Sequence, residues 1–391
     1  MKGFIIIFFI VAVLLHIYIS IRTYQGLEYI PSLRVPAVVS IILLIVIFML
    51  NQAGILSFSF NINRTISLFS SAWLFILLGV FISILLIDFV RVLNHFIDFL
   101  PIILKNNYIL FKFIIMIITI SATLFWYILG HLNFLTPQKT ELDISLNKPQ
   151  ILNEIKIENN LKIVLVSDLH IGYIINKKKL KQYVDSINSQ DADIVFIVGD
   201  LCDSDIKPII YQKMYEELSS IKSRLGAYVV TGNHEYIGEK ELLIEYYKQS
   251  GLNVLEDSVV LLDSSFYVVG RKDRMANNRG LHFVDSKNKN RKSTSELIKE
   301  LDKNKPIILL DHQPFNLDES VEAGVDLHLS GHTHDGQFFP ITLITKAIYE
   351  VSAGYKQKGS THIYVSSGLG TWGPPVRIGT KSELVVINFA W

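Results

Sequence analysis

Cysteine and charged residues are scarce in this sequence. Its single cysteine, Cys202, excludes a disulfide framework and a zinc site built from cysteines. Only 19% of the 391 residues are charged and 50% are hydrophobic, whereas about 25% charge is usual in soluble proteins. A disordered chain is excluded, because disorder requires low hydrophobicity and high net charge. The net charge of +1 gives no basis for a nucleic-acid partner.

The few charges are distributed unevenly along the chain. Residues 1–135 contain 7 basic and 3 acidic side chains, whereas residues 136–391 contain 30 basic and 33 acidic side chains. The second part therefore has the composition of a soluble domain, and the first part does not. We expect a domain boundary at this point, with domains over residues 1–135 and 136–391.

The first part contains four long stretches without Asp, Glu, Lys or Arg. A helix needs about 20 apolar residues to cross a bilayer, and the alternative of a buried helix bundle is disfavoured by four such stretches in so short a segment. The expected spans are residues 3–21, 35–50, 65–87 and 113–130. An all-α domain of about four transmembrane helices is therefore predicted. The apolar segment 94–110 is interrupted by Asp98, Pro101 and Lys105, so we interpret it as interfacial.

One ionisable residue lies inside the first span. His16 is either a functional group, as intramembrane ionisable residues often are, or a neutral histidine that is hydrogen-bonded to a neighbouring helix. We favour the second interpretation.

Basic residues near the span ends predict the orientation, because loops rich in Lys and Arg stay in the cytoplasm. With four spans, the first and third loops share one side, and the chain's amino terminus and residues 136–391 share the other. The first group contains Arg22, Arg34, Arg91, Lys105 and Lys112, and the second contains Lys2, Arg64 and Lys139. We therefore expect an integral protein of the cell membrane whose second domain is extracytoplasmic.

In the second part, five short β-branched runs alternate with helical stretches and end in clusters of Asp, His, Asn and Gly. This pattern is typical of an α/β fold, in which ligand sites form beyond the carboxyl ends of strands. The runs are residues 161–166, 193–198, 227–230, 306–310 and 325–329, and they are followed by Asp168 and His170, by Asp200 and Asp203, by Asn233 and His234, by His312, and by His332 and His334. Five such strand ends predict one convergent site.

The residue types at these strand ends are metal ligands. Carboxylate, imidazole and amide oxygen together suit Mn, Fe, Zn, Co or Ni. The donors are too numerous for one ion that keeps an open position, so we expect two divalent ions that share a carboxylate. Such pairs promote in-line displacement at phosphorus. The glycines before Asp200, Asn233 and His332 fit tight turns that direct the next side chain inward.

The order of these motifs resembles the calcineurin-like metallophosphoesterase superfamily, whose pattern is D-x-H, G-D-x-x-D, G-N-H-[DE], H and G-H-x-H. Every element is present between Lys162 and His334. Residues 331–340 and 364–378 are similar to the bacterial membrane-linked branch, with Asp335 in place of a usual glycine. The resemblance implies a four-layer α/β/β/α domain behind the membrane domain.

The resemblance also implies roles for individual residues. The first metal would be held by Asp168, His170, Asp200 and His334, and the second by Asp200, Asn233, His312 and His332. His234 would stabilise the transition state or protonate the leaving oxygen, and Asp203 would orient it. A metal-bridging hydroxide would be the nucleophile. Arg377 is a weaker candidate, either for contact with substrate phosphate or for a structural ion pair.

These observations predict a membrane-anchored, dinuclear metal-dependent phosphoesterase. Its substrate would be a phosphate ester or pyrophosphate, either a small phosphorylated molecule or a lipid-linked one, and its other partner is membrane lipid. The alternative is a catalytically silent or regulatory metal-binding receptor or sensor coupled to the membrane helices.

Overall fold

The chain forms two units. The computed structural model describes residues 2–52, 58–148, 150–152, 155–157, 159–277 and 291–391. The first unit comprises residues 1–131 with 373–375, and the second comprises residues 132–372 with 376–391. This division lies close to the boundary expected from the charge distribution; the domain limits 1–135 and 136–391 stay a prediction.

Helices make up the part of the first unit that the structure describes. Four helices between residues 10 and 135 are long and apolar enough to cross a membrane. Such segments form helices because a helix satisfies its own backbone hydrogen bonds where water is absent. The helices are α1 (Lys2–Gly26), α2 (Arg34–Gln52), α3 (Phe60–Ile97), α4 (Ile102–Asn106) and α5 (Tyr108–Leu135).

His16 on α1 is bonded to a neighbouring helix. The indole Nε1 of Trp73, on α3, donates to His16 Nε2 over 3.0 Å. His16 Nδ1 lies 2.7 Å from the carbonyl oxygen of Ala12. Because Nε2 accepts, Nδ1 carries the proton and the ring is neutral. The predicted hydrogen bond between helices is confirmed.

The segment 94–110 contains two helix ends. Helix α3 ends at Ile97, and Asp98 adopts a left-handed conformation with φ of 44°. The short helix α4 then precedes α5. Phe96 and Ile102 are 78% and 75% exposed. The interfacial position of this segment stays a prediction.

Two six-stranded sheets form the centre of the second unit. The order is β1-β14-β4-β5-β6-β7 in the first sheet and β12-β13-β11-β10-β9-β8 in the second, and β2 pairs with β3. Strands β4 to β7 are parallel to one another, as are β9, β10, β11 and β13. The strands are β1 (Gln138–Ser145), β2 (Gln150–Leu152), β3 (Ile155–Ile157), β4 (Asn160–Val166), β5 (Ile194–Val198), β6 (Ala227–Val230), β7 (Asn253–Leu255), β8 (Ser258–Leu262), β9 (Phe266–Gly270), β10 (Ile307–Leu310), β11 (Leu327–Ser330), β12 (Gly354–Lys358), β13 (Thr361–Val365) and β14 (Glu383–Ala390).

Helices cover the outer faces of the two sheets. On β4, Ile163 packs between the sheets with Leu310 of β10, whereas its neighbour Val164 packs on the other face with Leu180 of α6. This alternation follows from the two-residue repeat of a strand. Leu297 of α11 covers the outer face of the second sheet. The helices are α6 (Lys177–Asn188), α7 (Lys207–Tyr211), α8 (Tyr215–Leu218), α9 (Asn233–Ile237), α10 (Lys240–Gln249), α11 (Thr294–Ile298), α12 (Leu317–Ala323) and α13 (Ile341–Ile348). The predicted four-layer α/β/β/α fold is confirmed.

The five apolar runs identified in the sequence are strands. They correspond to β4, β5 and β6 in the first sheet and to β10 and β11 in the second. Within each sheet these strands are parallel neighbours, so their carboxyl ends meet at one edge. That edge carries the predicted ligands.

Candidate metal centre

The loops after these strands bring the predicted ligands together. Ligand atoms lie within 4.8 Å of one another in three groups: Asp168, His170 and His334; Asp200, His312 and His332; and His170, Asp203 and His234. His170 belongs to two of the groups. The first two contain six of the seven predicted metal ligands, and the third contains the two predicted catalytic residues.

Asp200 belongs to the second group and also faces the first. Its Oδ2 is 3.2 Å from Nε2 of His312 and 3.8 Å from Nε2 of His170. Its Oδ1 accepts a 2.8 Å hydrogen bond from the backbone N–H of His234. One carboxylate therefore faces donors from both groups, as a bridging ligand must.

The first group surrounds a buried carboxylate. Oδ1 of Asp168 is 3.6 Å from Nε2 of His334, which lies 3.1 Å from Nε2 of His170. Asp168 also accepts the backbone N–H of His332 at 3.0 Å. Two imidazole nitrogens and a carboxylate oxygen thus point to one small volume.

The second group has an imidazole with a defined tautomer. Nδ1 of His312 lies 2.8 Å from the carbonyl oxygen of Val198, to which it donates. Nε2 of His312 therefore keeps its lone pair. Oδ1 of Asn233 lies 3.2 Å from this Nε2, so the Asn233 amide lies beside the second group. Fixing a ligating histidine through its other nitrogen is usual in metal sites.

Five of the predicted ligands have left-handed backbone conformations. The φ values are 54° for Asp168, 49° for His170, 49° for Asp200, 73° for His332 and 49° for His334. Such conformations cost energy in residues other than glycine and concentrate at functional sites. The strain on this set supports a functional role for it.

The three glycines next to the ligands leave room for side chains. A Cβ on Gly199 would lie 2.3 Å from Nδ1 of His312, one on Gly232 would lie 2.2 Å from Oδ1 of Asp200, and one on Gly331 would lie 2.5 Å from Oδ2 of Asp168. Gly199 also has φ of 79°, as the predicted tight turn requires. Gly232 has φ of −105°, which any residue can adopt, so it is the space beside Asp200 that requires glycine there.

His234 and Asp203 form a pair at the side of the ligands. Nδ1 of His234 is 3.3 Å from Oδ1 of Asp203 and 3.0 Å from Oγ of Ser204. Burial lowers the pKa of His234, but the charge of Asp200 and the hydrogen bond to Asp203 outweigh it and raise the pKa to about 9. Burial raises the pKa of Asp203, but its hydrogen bonds with His170 and His234 bring the pKa below its usual range. The carboxylate of Asp203 therefore favours the protonated form of the His234 ring.

Arg377 lies behind the ligands and supports their backbone. It is 1% exposed, and its guanidinium donates to four carbonyl oxygens, those of His334, Ser367, Gly368 and Gly370, at 2.7–3.1 Å. Of its two predicted roles this position favours a structural one, through carbonyl groups in place of the expected ion pair.

The buried carboxylates of the site need a cation. Asp168 and Asp200 are 0% and 2% exposed, and within the described residues neither has a lysine or arginine in an ion pair. Burial raises the pKa of Asp168, and the charge of Asp200 raises it further. Buried charges are stable when they are paired or bound to metal, so this donor set fits divalent metal ions.

Further side chains outside the predicted ligand and catalytic set lie near the site. The Trp372 ring lies 6.3 Å from that of His234, and the Tyr349 ring lies 6.1 Å from that of His332. The Phe315 ring is tilted by 46° against that of Tyr349 at a centroid distance of 4.8 Å, and the Arg274 guanidinium lies 4.2 Å from the centroid of the Phe315 ring. None of these residues was predicted to be at the site, because long-range packing brings them there.

Comparison with known proteins identifies relatives. The family model of the calcineurin-like phosphoesterases matches residues 161–336. A protein named as an uncharacterized metallophosphoesterase in one Helicobacter pylori strain is 31% identical over 383 residues, covering 90% of this chain and 98% of the relative. A protein with the same name in another strain is 34% identical over 235 residues, or 60% of each chain. A Danio rerio transmembrane protein with a metallophosphoesterase domain is 32% identical over 292 residues, covering 71% of this chain and 62% of the relative. The chain thus spans about three fifths of the length of two of these relatives.

Proposed function

The chain belongs to the calcineurin-like phosphoesterase family, and from that premise we propose that it is a membrane-anchored, dinuclear metal-dependent phosphoesterase. The observation that carries the proposal is the position of Asp200 between two groups of buried donors. The four apolar helices of the first unit would provide the anchor.

The donor set assigns residues to two ions. We propose that Asp168, His170, Asp200 and His334 hold the first ion, and that Asp200, Asn233, His312 and His332 hold the second. When bound, such ions polarise a phosphoryl oxygen and lower the pKa of a coordinated water. Mn, Fe, Zn, Co and Ni all suit these ligands.

His234 would act on the phosphoryl group or on the leaving oxygen. The hydrogen bond that Nδ1 donates to Asp203 favours the protonated ring, and a protonated Nε2 could donate a hydrogen bond or a proton. Asp203 and Ser204 contact Nδ1 and fix the ring orientation. A positioned proton donor contributes about 10²–10⁴-fold to a rate.

An exposed apolar patch beside the site supports a lipid-linked substrate. Helix α13 follows the turn that carries His334, and a Cβ on Gly336 in that turn would lie 2.5 Å from the backbone nitrogen of Thr342. The apolar patch consists of Phe339, Leu343, Ile344, Ile348 and Trp372, which are 52–60% exposed. Exposed apolar clusters mark lipid or ligand contacts. Acyl chains beside the scissile phosphate would cover this patch.

A hydrolysis screen tests the function, with products identified by mass spectrometry because a diester yields a phosphomonoester and an alcohol in place of free phosphate. The metal-loaded full chain is assayed against lipid phosphates, lipid pyrophosphates, nucleotides and a soluble diester. We expect turnover that chelation abolishes and that is fastest with a lipid-linked substrate. Binding without hydrolysis of any of these would favour the receptor or sensor alternative.

A matched pair of variants tests the apolar patch. Leu343→Ser removes an apolar side chain that is 58% exposed on α13, and Leu242→Ser removes one that is 54% exposed on α10. We expect Leu343→Ser alone to raise the KM for the lipid-linked substrate while leaving the soluble diester unaffected. Equal effects of the two variants would refute the lipid role of the patch.

A further inference from the structure

A cavity of about 620 Å³ lies in the first unit, where α1 and α3 end and α5 begins. Basic residues of four helices line it: Arg22 of α1, Arg91 of α3, Lys105 of α4 and Lys112 of α5. Among the described residues of its lining, Asp88 is the one carboxylate. A cavity of this size is typical of a ligand site.

The carboxylates near the cavity leave it with excess positive charge. Asp88 pairs with both Arg22 and Arg91, whereas Lys105 pairs with Asp98 and Lys112 pairs with Glu28. Four cations thus share three carboxylates.

One of these cations also has an unused donor. The Nε of Arg22 is buried and has no hydrogen-bond partner among the described residues. A buried donor without a partner is unfavourable, and an anionic oxygen within reach of Nε would satisfy it.

The remaining lining of the cavity is largely apolar. Ile84 and Ile87 of α3 face it, as do Leu104 of α4 and Ile115 and Met116 of α5. A charged rim beside an apolar wall matches an amphiphile, because the two parts of such a ligand need opposite surroundings. A soluble anion would leave the apolar wall uncovered, and a lipid without net charge would leave the excess positive charge unbalanced.

We infer that this cavity binds one anionic phospholipid. The headgroup phosphate would contact Arg22 and Arg91, and the acyl chains would lie against the apolar side chains of α3 and α5. The site consists of first-unit residues only, so it is independent of the proposed hydrolysis.

Two arginines on the same helix give a matched test. Arg91 lines the cavity near the end of α3, whereas Arg64 lies near the beginning of α3 and is not part of the lining. The full chain in neutral detergent is titrated with dioctanoyl phosphatidylglycerol, with dioctanoyl phosphatidylcholine and with inorganic phosphate. Binding is measured by calorimetry and stoichiometry by native mass spectrometry.

We expect one phosphatidylglycerol per chain, bound at least tenfold more tightly than phosphatidylcholine. Arg91→Gln should weaken this binding about tenfold, because the headgroup phosphate loses a charged hydrogen-bond donor, and Arg64→Gln should not change it. The melting temperature of each variant checks its fold, and Lys105→Gln replaces Arg91→Gln if that variant does not fold. Equal binding of the two lipids, equal effects of the two arginine variants, or inorganic phosphate binding as tightly as phosphatidylglycerol would each overturn the inference.

Discussion

His234→Ala separates the chemistry at the site from metal binding. The backbone N–H of His234 donates to Asp200 at 2.8 Å, and an alanine keeps that bond. The substitution removes the imidazole, whose side chain is 12% exposed and whose Nδ1 contacts Asp203 and Ser204. We therefore expect about two metal ions per chain to remain, while kcat falls by about 10²–10⁴-fold, or about 3–5 kcal/mol of barrier.

The structure also allows an alternative role for His234, as a metal ligand. His170, Asp203 and His234 also lie close enough together to hold an ion, and if they do, His234→Ala will lose metal along with activity. Metal content is measured by mass spectrometry of the purified protein, and kcat is measured with a soluble diester at saturating metal. His362→Ala is the control, because His362 bonds Tyr355 at 2.8 Å and is not among the grouped residues of the site. A variant of His234 with reduced metal content would refute its assignment as a proton donor.

Three further predictions concern the bridging role of Asp200, the boundary of the second unit and the orientation in the membrane. Asp200→Asn should abolish hydrolysis and lower the bound metal, because both groups lose an anionic ligand; full metal content with unchanged turnover would contradict the bridging role. A chain beginning at residue 132 should fold and hydrolyse a soluble ester, and one beginning at residue 138 should melt at a lower temperature. The reason is that Phe134 is 3% exposed in the core, and loss of a buried Phe side chain costs about 3–5 kcal/mol; equal melting temperatures would refute this. A phosphatase reporter fused after Trp391 should be active and a fluorescent protein there dark if the second unit is extracytoplasmic, and the reverse result would place it in the cytoplasm.

The elements that carry the site were predictable because each depends on local sequence. An apolar run such as residues 161–166 becomes a strand on its own pattern, and the residues after it must emerge at the carboxyl end. The parallel order of β4, β5 and β6 then places Asp168, Asp200 and Asn233 in adjacent loops. Strand ends alone therefore bring together the ligands that each sheet contributes. The packing of the two sheets against each other then unites the two sets, as in the groups of Asp168 with His334 and of Asp200 with His312.

Other features depended on contacts that no local pattern contains. Arg377 follows a glycine-rich loop as a substrate contact would, yet it is buried on carbonyl oxygens because the loop folds around it. Trp372, in the segment 364–378, and Tyr349 reach the site from loops outside the five strand-end motifs. The requirement for glycine at position 232 is equally non-local, since the atom it avoids belongs to Asp200.

The basic residues of the first unit connect the orientation with the lipid inference. Arg22, Arg91, Lys105 and Lys112 are four of the five residues that favour cytoplasmic first and third loops, and the structure gathers all four around one cavity. A cytoplasmic leaflet rich in anionic lipid attracts basic residues next to spans, with about 1 kcal/mol for each. A cavity that collects these residues would concentrate that attraction on a single headgroup. The extracytoplasmic orientation and the binding of an anionic phospholipid therefore depend on the same basic residues. If the reporter places the second unit in the cytoplasm, these residues no longer face the cytoplasmic leaflet. The positive charge of the cavity stays the same in either orientation.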